Sequence, residues 1–512
     1  MDVPKNNANA GDSGTCDLFV RSVKMEMDGK EVEAKLQIEN INRDSMDTVH
    51  LVGIAGSGML PLAELLRKKK YRVTGSDRLL ANPAEWEKLA SPIRKRLQRL
   101  LDLGAELYPQ DGSGIGEATA RIVISTAIEE SNPDWVKAKA LRIPIRHRAE
   151  ELRAQLEDGR MLAVAGTSGK STTTALCAWL LAGAGELNCF VGGAEILESP
   201  GSQIGGSSVH VAEGSWSCVE LDESDASLLR FEPDIALVLN ISRDHHPLEE
   251  NLRIFREFST QVRNTLLLNR SDVGCGRLSE MLGRPDSICW FSPPQEIDPT
   301  ESGVGFHFAG MRYELPLLGR HNAMNAYAAL AAVRAVVPTV PLQAWRDSLK
   351  TFPGVRRRLQ RYGFGPVAVY DDFAHNPDKI AALLTTLQER YPRVHILFQP
   401  HGYGPLRFHL DGFAEVFSTV LRPEDRLILL PVYDAGGTTD RSISSQDLAN
   451  KIASGSVCAV RAREEALQVL IRSLQKEDAV VVAGARDDTL AEFTAAIEQT
   501  LNESATTPVC GG

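Results

Sequence analysis

The residues best suited to chemistry gather at a glycine loop and an acidic run near the middle of the chain. From Met161 to Ser171 the sequence reads MLAVAGTSGKS, a short apolar run and then a loop ending in Lys-Ser. A strand that runs through Gly166, Thr167, Ser168 and Gly169 into the helix-forming TTTALCAWLL, which starts at Thr172, turns backbone N–H groups and a helix N-terminus toward one point. That arrangement holds phosphate. Lys170 would reach the outer phosphates, and the Ser171 hydroxyl would bind Mg²⁺. A full P-loop has a further glycine five places before Gly169; Val164 stands there, so the loop is a shortened GxxGKS. Glu220 opens the acidic run ELDESD, and His245 lies in NISRDHH at the close of an apolar strand. Oxygen from Glu220 and nitrogen from His245, delivered from neighbouring strand ends, would complete a magnesium site.

The elements that must position these groups read as a repeated βα alternation. From Thr48, VHLVGIAGSGMLPLAELLRKKKYRVTGSD gives strand, glycine turn, helix and strand, with Asp77 at the end of the second strand. This follows the dinucleotide fingerprint GxGxxG, with Ala55 in the place of the middle glycine, and points to a nucleotide or nucleotide-sugar pyrophosphate. Strands and helices continue through about Thr351. TFPGVRRRLQRYG then reads as a hinge, and VAVYDDFAHNPDKI opens a third unit whose strands VHILFQP, RLILLPVY and AVVVAGA are apolar and β-branched, as in a parallel sheet covered on both faces. The expected fold is α/β in three domains: a polar extension over 1–47 that could form a hairpin, a Rossmann-like unit over 48–155, a central P-loop ATPase-like unit with a mostly parallel sheet over 156–351, and a Rossmann-like unit over 352–512. The basic stretch 79–98 reads as a solvated helix. Trp179 and Phe190 read as core, and His210 and His307 as structural histidines.

At 512 residues the chain is too long for one core. A net charge of -11 argues against broad nucleic-acid binding, which needs a basic face. The N-terminus lacks the basic start and apolar core of a secretory leader, and no run of 18 apolar residues predicts a membrane span. The eight cysteines are scattered without CxxC or metal-ligand spacing, the pattern of free thiols in a reducing cytoplasm.

In combination and in order, GIAGSGM, SD at 76–77, AGTSGKSTTT, ELDESDAS, NISRDH, GRHNAMNA, GVRRR and DDFAHNP resemble the ATP-dependent Mur ligases of peptidoglycan precursor synthesis, over roughly residues 48 to 495. The resemblance is greatest to the branch that joins L-alanine to UDP-N-acetylmuramate. It implies that the first unit binds the UDP moiety through Gly53, Gly56, Ser57, Gly58 and Met59 with Ser76 and Asp77, while Gly166 to Thr172 hold ATP. It further implies that Ser171, Glu220 and His245 carry Mg²⁺, that Ser224 and Asp225 lie near the sugar, and that His321, Asn322 and Asn325 contact adenine or its ribose. Arg357 or Arg358, with Asp372 and His375, would close over ATP and the incoming amino acid. His245 or His375 is chemically able to take the proton from the amine.

Three departures accompany the resemblance. Ser171 replaces the family's threonine and keeps the hydroxyl. Asn376 stands where the branch has a second histidine. In FQPHGYGPLRF, Gly402 and Pro405 stand where arginines hold the amino-acid carboxylate, leaving Arg407. Several members carry magnesium on a carbamylated lysine, but Lys170 is the only lysine between Lys139 and Lys350, so that chemistry is unavailable. The competing readings are a recycling ligase that adds a preformed tripeptide, a nicotinamide-dependent oxidoreductase built on the 53–58 turn, and a catalytically silent nucleotide-binding regulator. The expected partners are small substrates, without nucleic acid or membrane, in a monomer or homodimer.

Overall fold

The structure, a computed structural model, describes residues 47–506 apart from 81–90, 244–245, 284–287, 364, 435, 437–438 and 454–455, together with the backbone of 20–27 and 30–37. The two strands that precede the body, β1 (Val20–Met27) and β2 (Lys30–Gln37), pair antiparallel.

Three α/β units follow. In the first, β3 (Thr48–Val52) passes through the glycine turn into α1 (Met59–Lys68), and β4 (Arg72–Asp77), α2 (Ser91–Asp102), β5 (Glu106–Pro109), β6 (Thr119–Ile124), α3 (Pro133–Ala140), β7 (Ile145–His147) and α4 (Arg148–Leu156) succeed it. The strands are all parallel in the order β5-β4-β3-β6-β7. The turn after β3 therefore sits where the strand order reverses and the sheet opens a crevice.

The central unit contains β8 (Arg160–Ala165), α5 (Lys170–Gly183), β9 (Leu187–Ile196), β10 (Ser207–Val211), β11 (Trp216–Glu220), β12 (Ile235–Val238), α6 (Leu248–Gln261), β13 (Thr265–Asn269), α7 (Val273–Leu282) and β14 (Ile288–Phe291). The strand order is β10-β9-β11-β8-β12-β13-β14, and only the β10–β9 pair is antiparallel. The glycine loop after β8 thus lies between the carboxyl ends of β11 and β12. A three-stranded antiparallel sheet, β15 (Ile297–Pro299), β16 (Val304–Phe308) and β17 (Met311–Leu315), leads to α8 (Arg320–Val336) and α9 (Leu342–Lys350). Helix α5 is buried from Ser171 to Ala182 between the sheet and α8, which is why TTTALCAWLL has no polar face. Trp179 and Phe190 are core residues, and the Trp179 indole donates to Ser348 O at 2.8 Å.

In the third unit β18 (Gln360–Tyr362) runs antiparallel to β19 (Ala368–Asp372). There follow α10 (Pro377–Gln388), β20 (Val394–Phe398), α11 (Tyr403–Val420), β21 (Arg426–Leu429), α12 (Ser445–Lys451), β22 (Val457–Ala459), α13 (Arg463–Ser473), β23 (Ala479–Ala483) and α14 (Leu490–Thr506). The order β18-β19-β23-β20-β21-β22 is parallel apart from the first pair. One apolar cluster is shared by the first and central units beside a separate cluster in each, whereas the third unit builds its own.

The described cysteines 177, 189, 218, 275, 289 and 458 are free thiols. Among the described residues no helix is long and apolar enough to cross a membrane. His307 is exposed on β16 and not a buried structural histidine, because its side chain alternates outward between Phe306 and Phe308.

His210 is stacked on Phe190, and its Nε2 accepts the Gly205 N–H at 3.1 Å. Burial, with Lys68 and Arg99 nearby, pushes its pKa down to about 4 from 6.5. The folded chain keeps this imidazole neutral while the unfolded chain takes up a proton below 6.5, so stability is full above that pH and falls as the pH drops toward 4. The unfolding midpoint of wild type, followed by calorimetry between pH 7 and 5, should fall more steeply than that of His210→Gln; equal slopes would show that this site does not couple to folding.

Candidate functional site

The glycine loop is held from two sides. Asn240, just past β12, receives Thr167 N–H on its carbonyl at 3.0 Å and Ser168 N–H on its Oδ1 at 2.8 Å, and its amide donates to Ser168 O at 3.0 Å. Asn325 of α8 covers the other side: a Cβ built on Gly169 would stand 2.5 Å from Asn325 Oδ1, and Gly169 has a φ of +86°. Only glycine meets both conditions. Asn322 of the same helix is turned away and donates to Leu318 O at 2.7 Å. His321 is held below the ordinary histidine pKa by burial, with Asp372 opposing.

The hydroxyl of Ser171 donates to Glu220 Oε1 at 3.0 Å, and the other Glu220 oxygen accepts the Gly193 N–H at 2.6 Å. A hydroxyl and a carboxylate brought together from a P-loop and the adjacent strand end are hard oxygen donors that fit Mg²⁺. His245, the expected third donor, lies outside the described residues. Lys170 curls back, its ammonium donating to Gly166 O at 2.7 Å and Glu223 Oε2 at 2.8 Å, with Asp222 at 3.4 Å. Burial opposes its charge, but the Glu223 and Asp222 carboxylates outweigh it and hold the Lys170 pKa above its ordinary value. The same lysine brings Asp222 down to about 2 against its own burial, while burial keeps the deeper Glu223 raised.

The hinge brings the third unit to this loop. Arg357 and Leu359 have φ values of +56° and +47° and are buried, while Arg358 between them is half-buried. Arg357 turns inward, donating to Asp371 at 3.2 Å and to Gly484 O at 2.8 Å. Arg358 turns outward and donates to Ser171 Oγ at 3.2 Å. Of the two hinge arginines, Arg358 is therefore the one beside the glycine loop. Asp372, raised by burial against the pull of Arg358, caps the turn by accepting Leu359 N–H at 2.6 Å and Ala374 N–H at 2.7 Å. His375 donates from Nδ1 to Phe373 O at 2.8 Å, and its ring meets that of His401 at 5.0 Å.

A single cleft of about 1680 Å³ joins the three units. Its walls include Gly53, Gly56, Ser57, Gly58, Met59, Asp77, Ser171, Glu220, Arg358, Phe373 and Arg486. Several expected site residues face elsewhere. Ser76 is fully buried with its hydroxyl on Asp134, so of the Ser-Asp pair Asp77 alone reaches the cleft, where its carboxylate steadies the glycine turn by accepting Ala55 N–H at 3.0 Å. Met59 borders the cleft, but its side chain is nearly all buried in the core, and its N–H closes the turn on Gly56 O at 3.0 Å. Asp225 faces Arg148 at 3.5 Å, and the Ser224 carbonyl meets His246 Nε2 at 3.0 Å. Arg407 is exposed and bound to Asp440 at 2.8 Å, and Asn376 caps α10 by accepting Lys379 N–H at 3.0 Å.

The basic stretch read as a solvated helix is a correction. Over 91–102 it is helix α2, which spans from the first unit to the third: Arg96 pairs with Asp488, Lys95 with Glu492 at 3.4 Å, and Arg99 with Glu64 at 3.2 Å. Residues 81–90 lie outside the described residues. The polar face of α2 reads as solvated because two of the three acids that meet it, Asp488 and Glu492, lie nearly 400 residues away in sequence. Asn240 and Glu223 were visible only as members of motifs, and Arg486 carried no signal.

Comparison with known proteins adds to this geometry. Three family models match in succession: the Mur ligase family catalytic domain over 48–85 and 91–159, the Mur ligase middle domain over 164–333, and the Mur ligase glutamate ligase domain over 357–486. A UDP-N-acetylmuramate–L-alanine ligase of Rubrobacter xylanophilus is 32% identical over 455 residues, covering 86% of this chain and 95% of the relative. A namesake from Burkholderia multivorans is 32% identical, covering 85% and 95%. Among solved structures, a UDP-N-acetylmuramate-alanine ligase of Thermotoga maritima shares the fold with a TM-score of 0.70 at 23% identity, covering 89% of this chain and 99% of that one. A murein peptide ligase of Psychrobacter arcticus gives 0.60 at 19% identity, covering 91% and 100%.

Asp371 is fully buried against Arg357, its own pKa pushed up to about 6 by burial against that arginine. Asp371→Ala leaves the guanidinium uncompensated and should destabilise the third unit by roughly 3 to 5 kcal/mol. Denaturant unfolding monitored by hydrogen exchange in β19 and β23 measures this; a loss below about 1 kcal/mol would mean that Arg357 finds a new partner.

Proposed function

The chain belongs to the Mur ligase family, and from that membership we propose that it is an ATP-dependent ligase joining the carboxylate of UDP-N-acetylmuramate to the amine of L-alanine. The observation that carries this reading is the meeting at Ser171: its hydroxyl touches Glu220 of the central unit and Arg358 of the hinge. Phosphate loop, metal-type donors and third unit converge on one oxygen. In this reading the first unit, 48–155, holds the sugar nucleotide, the central unit, 156–351, holds ATP, and the third, 352–512, presents the amino acid.

A carboxylate is a poor electrophile, so it is first phosphorylated by the γ-phosphoryl group of ATP. The amine then attacks the acyl phosphate and phosphate leaves. Lys170 and Arg358 offset charge on the transferring group as it builds. Mg²⁺, held by Ser171 and Glu220 with His245, would add charge neutralisation at the phosphates. His321 and Asn325 on α8 would meet the nucleoside. The amine must attack unprotonated from within about 3.5 Å. His375, whose Nδ1 donates to Phe373 O, is chemically able to receive its proton. His245 is the other chemically able base.

Phosphate release should require ATP, Mg²⁺, UDP-N-acetylmuramate and an amino acid together, and chelation should abolish it. Lys170→Ala should lower kcat by about a thousandfold or more. Release without the sugar nucleotide, or none with any of a panel of free amino acids and the tripeptide, would sink the proposal. A preference for tripeptide over L-alanine in competition would move the chain to peptide recycling. Arg358→Ala should lower kcat by about a hundredfold with the KM for L-alanine little changed; the reverse pattern would place Arg358 at the amino acid.

A further inference from the structure

A ligase of this kind needs a cation for the carboxylate that its amino-acid substrate carries, and most arginines of the third unit are already committed. Arg357 is bound to Asp371, Arg407 to Asp440, Arg441 to Asp434 at 2.7 Å, and Arg463 to Asp487 at 2.6 Å. Arg358 is directed to Ser171. Arg486 differs. It is exposed on the cleft wall and has neither a hydrogen bond nor an ion pair through its guanidinium among the described residues.

Its backbone is left-handed, with a φ of +60°, in the turn after β23. A non-glycine residue keeps such a conformation only where its surroundings fix it, and here both flanks are fixed. Arg357 donates to Gly484 O at 2.8 Å and to Asp487 O at 3.4 Å, and the Asp487 carboxylate takes Arg463 at 2.6 Å and Thr489 N–H at 3.0 Å. The turn aims Arg486 over Gly402, where a Cβ would lie 3.6 Å from Nη1. Between this guanidinium and the phosphate loop lies a row of rings and cations. Ser171 meets Arg358, Arg358 stacks on Phe373 at 5.0 Å, Phe373 meets His375 at 5.5 Å, and His375 meets His401, the neighbour of Gly402. That is the order in which a phosphorylated carboxyl, an attacking amine and a trailing carboxylate must lie.

We propose that Arg486 binds the carboxylate of the amino-acid substrate, and so selects an acceptor that carries a free carboxylate close to its amine. The assignment rests on the ligase reading. A planar guanidinium without a competing acid makes a paired, charge-assisted contact with a carboxylate, and it has no such partner in an amide.

The test compares L-alanine with L-alaninamide as acceptor, with ATP, Mg²⁺ and UDP-N-acetylmuramate saturating. In wild type kcat/KM should favour the acid by about tenfold to a hundredfold. Arg486→Gln should raise the KM for L-alanine by a similar factor with little change in kcat, leave the KM for ATP and for the sugar nucleotide unchanged, and abolish the preference for acid over amide. Arg486→Lys should restore part of it. Arg486→Gly relieves the left-handed backbone, so it should melt no lower than wild type and yet lose the same selectivity, which a structural role for Arg486 would not produce. An unchanged KM for L-alanine in Arg486→Gln, or a raised KM for ATP in its place, would overturn the assignment alone. Absence of turnover by wild type with any acceptor would overturn the ligase reading and the assignment with it.

Discussion

The site depends on a buried guanidinium. Arg357 is almost wholly withdrawn from solvent, and a charge so placed must be met by hydrogen bonds on every side. Asp371, Gly484 O and Asp487 O meet it, so one side chain ties the hinge to the ends of β19 and β23. The backbone conforms to that demand by turning left-handed at Arg357 and again at Leu359. Arg358, between them, has no inward direction left. It emerges at Ser171, and the third unit acquires its contact with the glycine loop beside its buried neighbour.

The glycine loop has its own electrostatic logic. Lys170 lies among Glu223, Asp222 and Gly166 O, so its charge is compensated without a nucleotide. Incoming phosphates would compete with acids for one ammonium, and a metal beside Glu220 would reduce that competition by drawing the acidic cluster to itself. Burial holds the pKa of the deeper Glu223 raised, with the neighbouring Asp222 adding to it and Lys170 opposing.

Much of this was legible in the sequence, for a definite reason. Strand-turn-helix units announce themselves over fewer than twenty residues, because apolar periodicity and glycine placement are local. The turn at Gly53, the loop at Gly166 to Ser171 and the hinge at Gly354 to Arg358 were found that way. Side-chain direction was less legible. Ser76 belongs to the right motif but faces Asp134, Met59 enters the core, and Asn322 binds the chain just before its helix, because pleat and helix phase decide which neighbour of a motif residue faces the cleft.

The sequence by itself determined the α/β class and the succession of three α/β units, and it marked GxxGKS and Glu220 as the residue types suited to phosphate and metal chemistry, since each rests on residue types at short spacing. Tertiary structure alone decided which cations are spoken for. Arg357, Arg407, Arg441, Arg463 and Arg486 look alike in sequence, and four of them meet carboxylates 7 to 33 residues away. It also decided that α2 closes on Asp488 across the whole length of the chain. Ion pairing depends on distance in space, and no local pattern encodes a distance that only the packed sheets set.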